Sequence, residues 1–170
     1  MYCCFTGHRP EQLPWINNEE DVRCIQLKKT LSDVIDLSIA DGYTDFYCGM
    51  ARGIDTFSAE LLIEKIKNNK NIRLHAVLPC PQQHEDWHDK DKQRFENILQ
   101  QVSSKTVISP VYTDTCMLSR NRFMVDNSGR LIAVWNGFFR GGTAYTVRYA
   151  KKEKKEIYLI RPRDLTVNLI

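Results

Sequence analysis

The stretch "RLIAVWNGFFRGGTAYTV", residues 130–147, decides the fold. Its first third, "RLIAVW" (130–135), is a short apolar run of the kind that forms a buried strand. A helical pattern begins at Thr143 and runs to residue 154, and between the two stand Gly141 and Gly142 beside Arg140. A helix start presents free backbone N–H groups and the positive end of its dipole, which favours an anion, and glycine lets the ligand approach the backbone closely. Thr143 can serve as the N-cap or donate its hydroxyl to a phosphate. A tight turn accounts for one glycine here, and less well for two beside an arginine. Whether such a ligand is only held or also cut must come from the rest of the chain.

The same alternation runs outward in both directions. Strands are predicted at "YCCF" (2–5), "DFYC" (45–48), "RLHAVL" (73–78), "KTVIS" (105–109), "RLIAVW" (130–135) and "EIYLI" (156–160), six in all. Cys24, Leu27, Leu31, Val34, Ile35 and Ser38 recur at three and four, giving an amphipathic helix that ends at Gly42. Comparable helical patterns occupy 54–68, 88–102, 116–127 and 143–154. Near-continuous apolar strands separated by helices predict an α/β fold with a single doubly wound, mostly parallel, Rossmann-like sheet and helices on both faces. The run "KKEKKE" (151–156) is the solvated end of the last helix rather than a binding tract.

Composition bounds the function. A chain of 170 residues with 42% hydrophobic and 26% charged residues is a single globular domain. It has no stretch near the ~20 apolar residues of a membrane span. The start "MYCCFTGHRP" lacks the features of a signal peptide, so a cytoplasmic location without membrane association is expected. The six cysteines lie in strand-like or helical runs without a CxxC, as buried free thiols do. Cys80, His84 and His88 are spaced as three points on one helix face, and the preferred reading is a buried thiol and two surface histidines, with no metal. A net charge of +3 neither declares nor excludes a nucleic-acid partner.

Ligands of such sheets bind outside the carboxyl ends of the strands. Four segments there carry the candidate site. "TGHRP" after the first strand offers Thr6, Gly7, His8 and Arg9, the last two as cation-capable groups. "CGMARGID" after the second brackets Arg52 with Gly49 and Gly53 and places Asp55 in the first helical turn, as a cap or as a hydrogen-bond acceptor for a ligand or loop. "MLSRNRFMVDNS" sets Asn121 between Arg120 and Arg122, a set suited to a planar or anionic ligand, although Arg122 can instead pair with Asp126 one turn on. Gly141, Gly142 and Thr143 complete the set. Beyond these, Trp87 in "CPQQHEDWHDKDKQRF" is a candidate for stacking on a base. Phe138 and Phe139 form either a pocket wall or a self-association patch, from which a homodimer is expected. No nucleophile and base stand at a recognisable spacing.

"TGHRP", "CGMARGID", "SRNRFMVDNS" and "GGTAYTVRYA", in this order and spanning nearly the whole chain, resemble the SLOG superfamily. That group joins the Smf/DprA proteins of DNA uptake to the LOG-type nucleotide phosphoribohydrolases, and the likeness is to its small bacterial YpsA-like branch. The resemblance implies a domain binding a nucleotide or nucleotide derivative, such as a nucleoside monophosphate, ADP-ribose or NAD, in a sensory or regulatory role. It implies phosphate at Gly141, Gly142 and Thr143, and base or ribose contacts near Gly7, Arg9 and Gly49. LOG-type enzymes carry a glutamate in a GGxGTxxE pattern, and this chain has Arg148 or Thr146 at the corresponding place, depending on alignment. Cleavage of an N-glycosidic bond needs a negative or basic group beside the sugar, for which Asp55, Glu60 or Glu85 are the candidate substitutes from other loops, although nothing in the sequence places them there. A nucleotide hydrolase or N-glycosidase therefore stands as an alternative, as does single-stranded DNA binding of the DprA kind, which "GMARGID" and "RNR" also resemble.

Overall fold

A computed structural model describes residues 1–170. In chain order it contains β1 (Tyr2–Gly7), α1 (Val22–Ala40), β2 (Asp45–Cys48), α2 (Ile54–Asn68), β3 (Arg73–Leu78), α3 (Asp89–Leu99), β4 (Ser104–Val107), α4 (Cys116–Asp126), β5 (Arg130–Val134), α5 (Gly142–Lys152), β6 (Glu156–Ile160) and β7 (Val167–Leu169). A 3₁₀ turn, Pro10–Gln12, follows β1. The helices start where the chain offers stops and caps: Asp21 accepts the Arg23 N–H at 2.8 Å to open α1, and Gly53 and Gly141, both at positive φ, open α2 and α5.

The strands form one sheet in the order β4-β3-β2-β1-β5-β6-β7. Every neighbouring pair is parallel except β6 with β7. Strand pleating splits the apolar residues between two layers. Cys3 and Phe5 join a cluster with Leu27, Leu31, Phe57, Leu62 and Phe95 from α1, α2 and α3. Cys4 points the other way, with Met124 and Val125 of α4 and Val147 and Ala150 of α5. Helices thus cover both faces, and all six cysteines are buried free thiols. No helix is long and apolar enough to cross a membrane.

Three expectations are corrected. There are seven strands, not six: β7 is a three-residue, fully exposed edge strand, and "VNL" carries no apolar run to betray it. It exists because the turn after β6 folds the chain back, so that Leu169 pairs with Tyr158. The last helix is capped by Gly141 and starts at Gly142, so Thr143 lies inside its first turn and is not the N-cap. Helix and strand ends elsewhere shift by a few residues, most of all in α3, which stops at Leu99.

The strand order places the site. From β1 the chain winds outward through β2, β3 and β4, then crosses back to β5 on the other side of β1. The loops leaving β1 and β5 therefore part in opposite directions, and a crevice opens between them.

Candidate ligand-binding cleft

A cleft of about 550 Å³ occupies that crevice. It gathers Thr6 and Gly7 at the end of β1 and Arg9 just after it, Asp55 from α2, Arg120 and Asn121 from α4, and Gly142 and Thr143 from α5. Four separate segments, distant in the chain, supply them. Close packing makes this convergence possible. A Cβ on Gly7 would collide with the side chain of Ile54, and one on Gly53 would sit 2.5 Å from the His8 carbonyl oxygen. Only glycines at both points let the loops after β1 and β2 touch. Met50, between them, takes a positive φ of 58°, a conformation rare for a non-glycine residue and one that tends to persist at functional sites.

His8 is part of this scaffold rather than a cation facing a ligand. It is buried, and its Nε2 accepts the Asn136 N–H at 3.0 Å. The remaining proton is therefore on Nδ1, which donates to Gln12 Oε1 at 3.1 Å. Burial pushes its pKa below the ordinary histidine value and keeps the ring neutral. The ring thus ties the loop after β5 to the turn after β1.

At α5 the N–H groups of Gly142, Thr143 and Ala144 have no acceptor in the chain, since the first helical bond is Tyr145 N–H to Gly141 C=O at 3.0 Å. Gly141 holds φ at 96° with open space around it. Facing this helix start, Arg120 is only 6% exposed. Its Nε donates to Asn121 Oδ1 at 2.8 Å and its Nη1 to the Gly49 carbonyl, which also accepts from Gln83 Nε2 at 3.1 Å. Nη2 donates to no protein atom. Asn121 Nδ2 passes the chain on to Thr146 Oγ1 at 2.9 Å, and that hydroxyl donates to the Gly142 carbonyl at 2.8 Å. One network therefore fixes the arginine and the helix start relative to each other.

Asp55 is also buried, with the Ala51 N–H donated to its Oδ2 at 3.2 Å. Burial raises its pKa, opposed by the Arg120 charge, and burial lowers that of Arg120, opposed by Asp55. The guanidinium stays protonated at any physiological pH. The cleft therefore combines a desolvated cation, three unpaired donors and a carboxylate in a low-dielectric setting, where each acts more strongly than in water.

Not every candidate lies here. Gly49 sits beneath Arg120, where any Cβ would strike the guanidinium. Arg52 pairs with Glu11 and Asp91 and faces a neighbouring hollow with Trp87. Arg122 lies on the outside of α4, where its Nε donates to the Tyr145 hydroxyl and its guanidinium lies over the rings of Tyr145 and Tyr149. The alternative Arg122–Asp126 pair does not form either, and Asp126 accepts from the Tyr149 hydroxyl at 2.8 Å. No three metal-binding side chains converge, at Cys80, His84 and His88 or elsewhere. A larger hollow of about 770 Å³ lies between α2 and α3. Of its carboxylates, Glu19 and Glu60 are paired with Arg94 and Glu64 with Lys67, while Glu20 is exposed, so it offers no buried unpaired charge like that of the cleft.

The apolar wall of the cleft, Met117, Leu118 and Met124, escaped the sequence reading. Its signal was present, since "ML" precedes "SRNR" in the same helix, but apolar helical residues read first as core. Thr146, at a position compared with the family glutamate, turns out to be a buried link in the network.

A sheet that reverses its winding between β1 and β5, with its cleft at that reversal, defines a Rossmann-like α/β domain. The family model described as the YspA SLOG family matches residues 3–165, and the chain belongs to that family, YpsA. Among curated relatives it is similar to the UPF0398 protein of Lysinibacillus sphaericus, 23% identical over 149 residues covering 86% of this chain and 83% of the relative. It is also similar to the UPF0398 protein YpsA of Bacillus subtilis, 21% identical over 170 residues, 96% and 94% of the two chains. A Bacillus cereus UPF0398 protein is 26% identical over 151 residues, 87% and 81% of the two chains.

Proposed function

We propose that the protein binds a nucleotide or nucleotide derivative in the switch-point cleft and acts as a sensor or regulator. The observation that carries this reading is the meeting of three acceptor-less N–H groups at α5 with the free Nη2 of buried Arg120. A phosphate satisfies all of them at once, and its charge suits both the helix dipole and the guanidinium. Arg9, exposed at the rim, adds a second cation, while Met117 and Leu118 give an apolar surface for a sugar or base. Nucleoside monophosphates, ADP-ribose and NAD share these features. Membership of a SLOG family agrees with such a ligand.

Isothermal titration of AMP, ADP-ribose and NAD against the native chain and Gly142→Asp tests the reading. The variant sets a carboxylate at the helix start, and nucleotide affinity is expected to fall by at least about 30-fold, the effect of an uncompensated like charge in a desolvated site. Equal affinity of the two proteins overturns the proposal.

One observation favours hydrolysis as a second reading. Asp55 is a cleft carboxylate whose pKa burial raises, as a general acid requires. Neither Thr146 nor Arg148 supplies a carboxylate, and Glu60 is engaged by Arg94. Under this reading, free base or ribose phosphate accumulates in proportion to protein and stops with Asp55→Asn. Binding without product in the native chain leaves only the first reading.

A further inference from the structure

The loop after β5 carries the two most exposed large apolar side chains of the molecule, Phe138 at 71% and Phe139 at 81%. They are held in that position. Trp135 Nε1 donates to the Phe138 carbonyl at 2.9 Å, the Phe138 N–H donates to Asn136 Oδ1 at 3.1 Å, and Arg148 Nη1 donates to the Phe139 carbonyl at 2.6 Å. Three hydrogen bonds thus fix the backbone while both rings stand in solvent. Gly137 and Gly141 bound the loop at positive φ, with open space around each. A projecting tip of fixed shape that ends in two neighbouring rings is built for a contact outside the chain.

The charges around the rings say which contact. Arg140 follows them directly, Arg148 holds the loop, and Arg161 and Arg163 line a hollow of about 400 Å³ at its foot, against Trp135 and Gly137. All four arginines are exposed and none is in an ion pair, whereas every arginine before residue 100 except Arg9 is held by a carboxylate. Asp164, the one carboxylate lining the hollow, is occupied by its own turn, accepting from the Thr166 hydroxyl at 2.7 Å and the Thr166 N–H at 3.1 Å. Exposed rings are therefore ringed by cations that nothing in the chain neutralises.

We propose that this loop is a peripheral membrane contact, in which Phe138 and Phe139 enter the interfacial region of an anionic bilayer while Arg140, Arg148, Arg161 and Arg163 meet its phosphate groups. Apolar insertion and basic attraction each give weak binding alone, and stable attachment takes both. Such a contact needs no spanning segment, whose absence was the ground for expecting no membrane association. A second copy is the poorer occupant, because a two-fold contact through this patch sets arginines against arginines. A single nucleic-acid strand is poorer too, since stacking platforms for strands line a groove and these rings crown a tip. None of the six residues lines the nucleotide cleft, so the proposal stands independently of the ligand held there.

Sedimentation of the full chain with sucrose-loaded vesicles tests it, setting phosphatidylcholine alone against an equal mixture of phosphatidylcholine and phosphatidylglycerol. The native protein is expected to pellet with the mixed vesicles and to stay in solution with phosphatidylcholine. Phe138→Ser combined with Phe139→Ser is expected to abolish binding at an unchanged denaturation midpoint, as neither ring is packed in the core. Arg161→Gln combined with Arg163→Gln is expected to weaken it by about 5-fold for each charge removed. In Phe139→Trp the added indole emission shifts to the blue on the mixed vesicles, which adsorption through charge alone does not produce. Equal binding to both kinds of vesicle, binding to neither, or full binding by the double serine variant overturns the proposal. So does a native dimer that the serine variant loses, or capture of oligo-dT in place of vesicles.

Discussion

Two buried arginines stand at opposite ends of the same sheet and are treated in opposite ways. Arg130 opens β5 at the amino edge and is 3% exposed; Arg120 lies over the carboxyl edge and is 6% exposed. Every nitrogen of Arg130 that can donate is used: Nε to Glu156, Nη1 to Ser38 at 3.0 Å and Nη2 to Asp41 at 2.7 Å. Its guanidinium also lies between the rings of Tyr43 and Tyr158, 4.4 and 4.8 Å away. Arg120 has a carbonyl and an amide for partners, no carboxylate within ion-pair distance, and one nitrogen left free. A buried charge is costly unless paired, so the fully paired Arg130 belongs to the fold, whereas Arg120 keeps one nitrogen without a protein partner at the cleft. The rest of the amino edge follows Arg130, since Asp45 there accepts from Arg73, His75 and Thr44.

The largest effect that separates the two ends is on stability. Arg130→Ala strands Asp41 and Glu156, and is expected to cost about 3 kcal/mol, the low end for breaking a buried pair because both partners are partly exposed. Chemical denaturation should show this loss together with unchanged nucleotide affinity. If the affinity falls as well, the two ends are coupled and the contrast fails.

Arg120→Met should do the reverse. It removes a desolvated charge that lacks an ionic partner, so its stability loss is expected to be smaller than that of Arg130→Ala in the same titration. Its nucleotide affinity should fall by about 30-fold or more. A stability loss matching that of Arg130→Ala, with affinity intact, would make Arg120 a structural residue.

The smallest effect is on pH dependence. His8 has a lowered folded pKa, so the unfolded chain takes up its proton first, and this contribution to stability is present above about pH 6.5 and lost as pH falls through the folded value. Asp45 is held below the ordinary carboxylate range by the hydrogen bond from Arg73, opposed by its burial. Its contribution is therefore present above about pH 3.9 and lost only at more acid pH. Asp55 has the opposite sign, because its raised pKa favours the folded state below the ordinary carboxylate value and costs stability as pH rises through the folded one. Subtracting the stability profile of His8→Gln from that of the native chain isolates the histidine. The expected difference is a decline below about pH 6.5 present only in the native chain, and a flat difference removes His8 as the neutral tie between the two loops.

The alternation of strands and helices, and so the doubly wound sheet, was legible because buried parallel strands must be apolar on both faces and helices must show one apolar stripe. The three glycine-bearing loops, after β1, β2 and β5, were legible for a similar reason, since glycine at a strand-to-helix turn marks a tight or close backbone approach. Pairings across space were not. Nothing in "SRNRF" says that Arg120 faces inward and Arg122 outward, although a helix rotates neighbours two apart by roughly 200°. Nor does "TGHRP" say that His8 will accept the amide of Asn136 from a loop 128 residues away.

By itself the sequence determined the repeating βα architecture and the family, because the first depends on local periodicity and the second on short motifs that keep their order along the chain. Tertiary structure alone decided which of the candidate cations lacks a partner. Pairing depends on which side chains the folded sheet brings within 3 Å or so of one another, and burial then fixes how strongly an unpaired donor calls for a ligand.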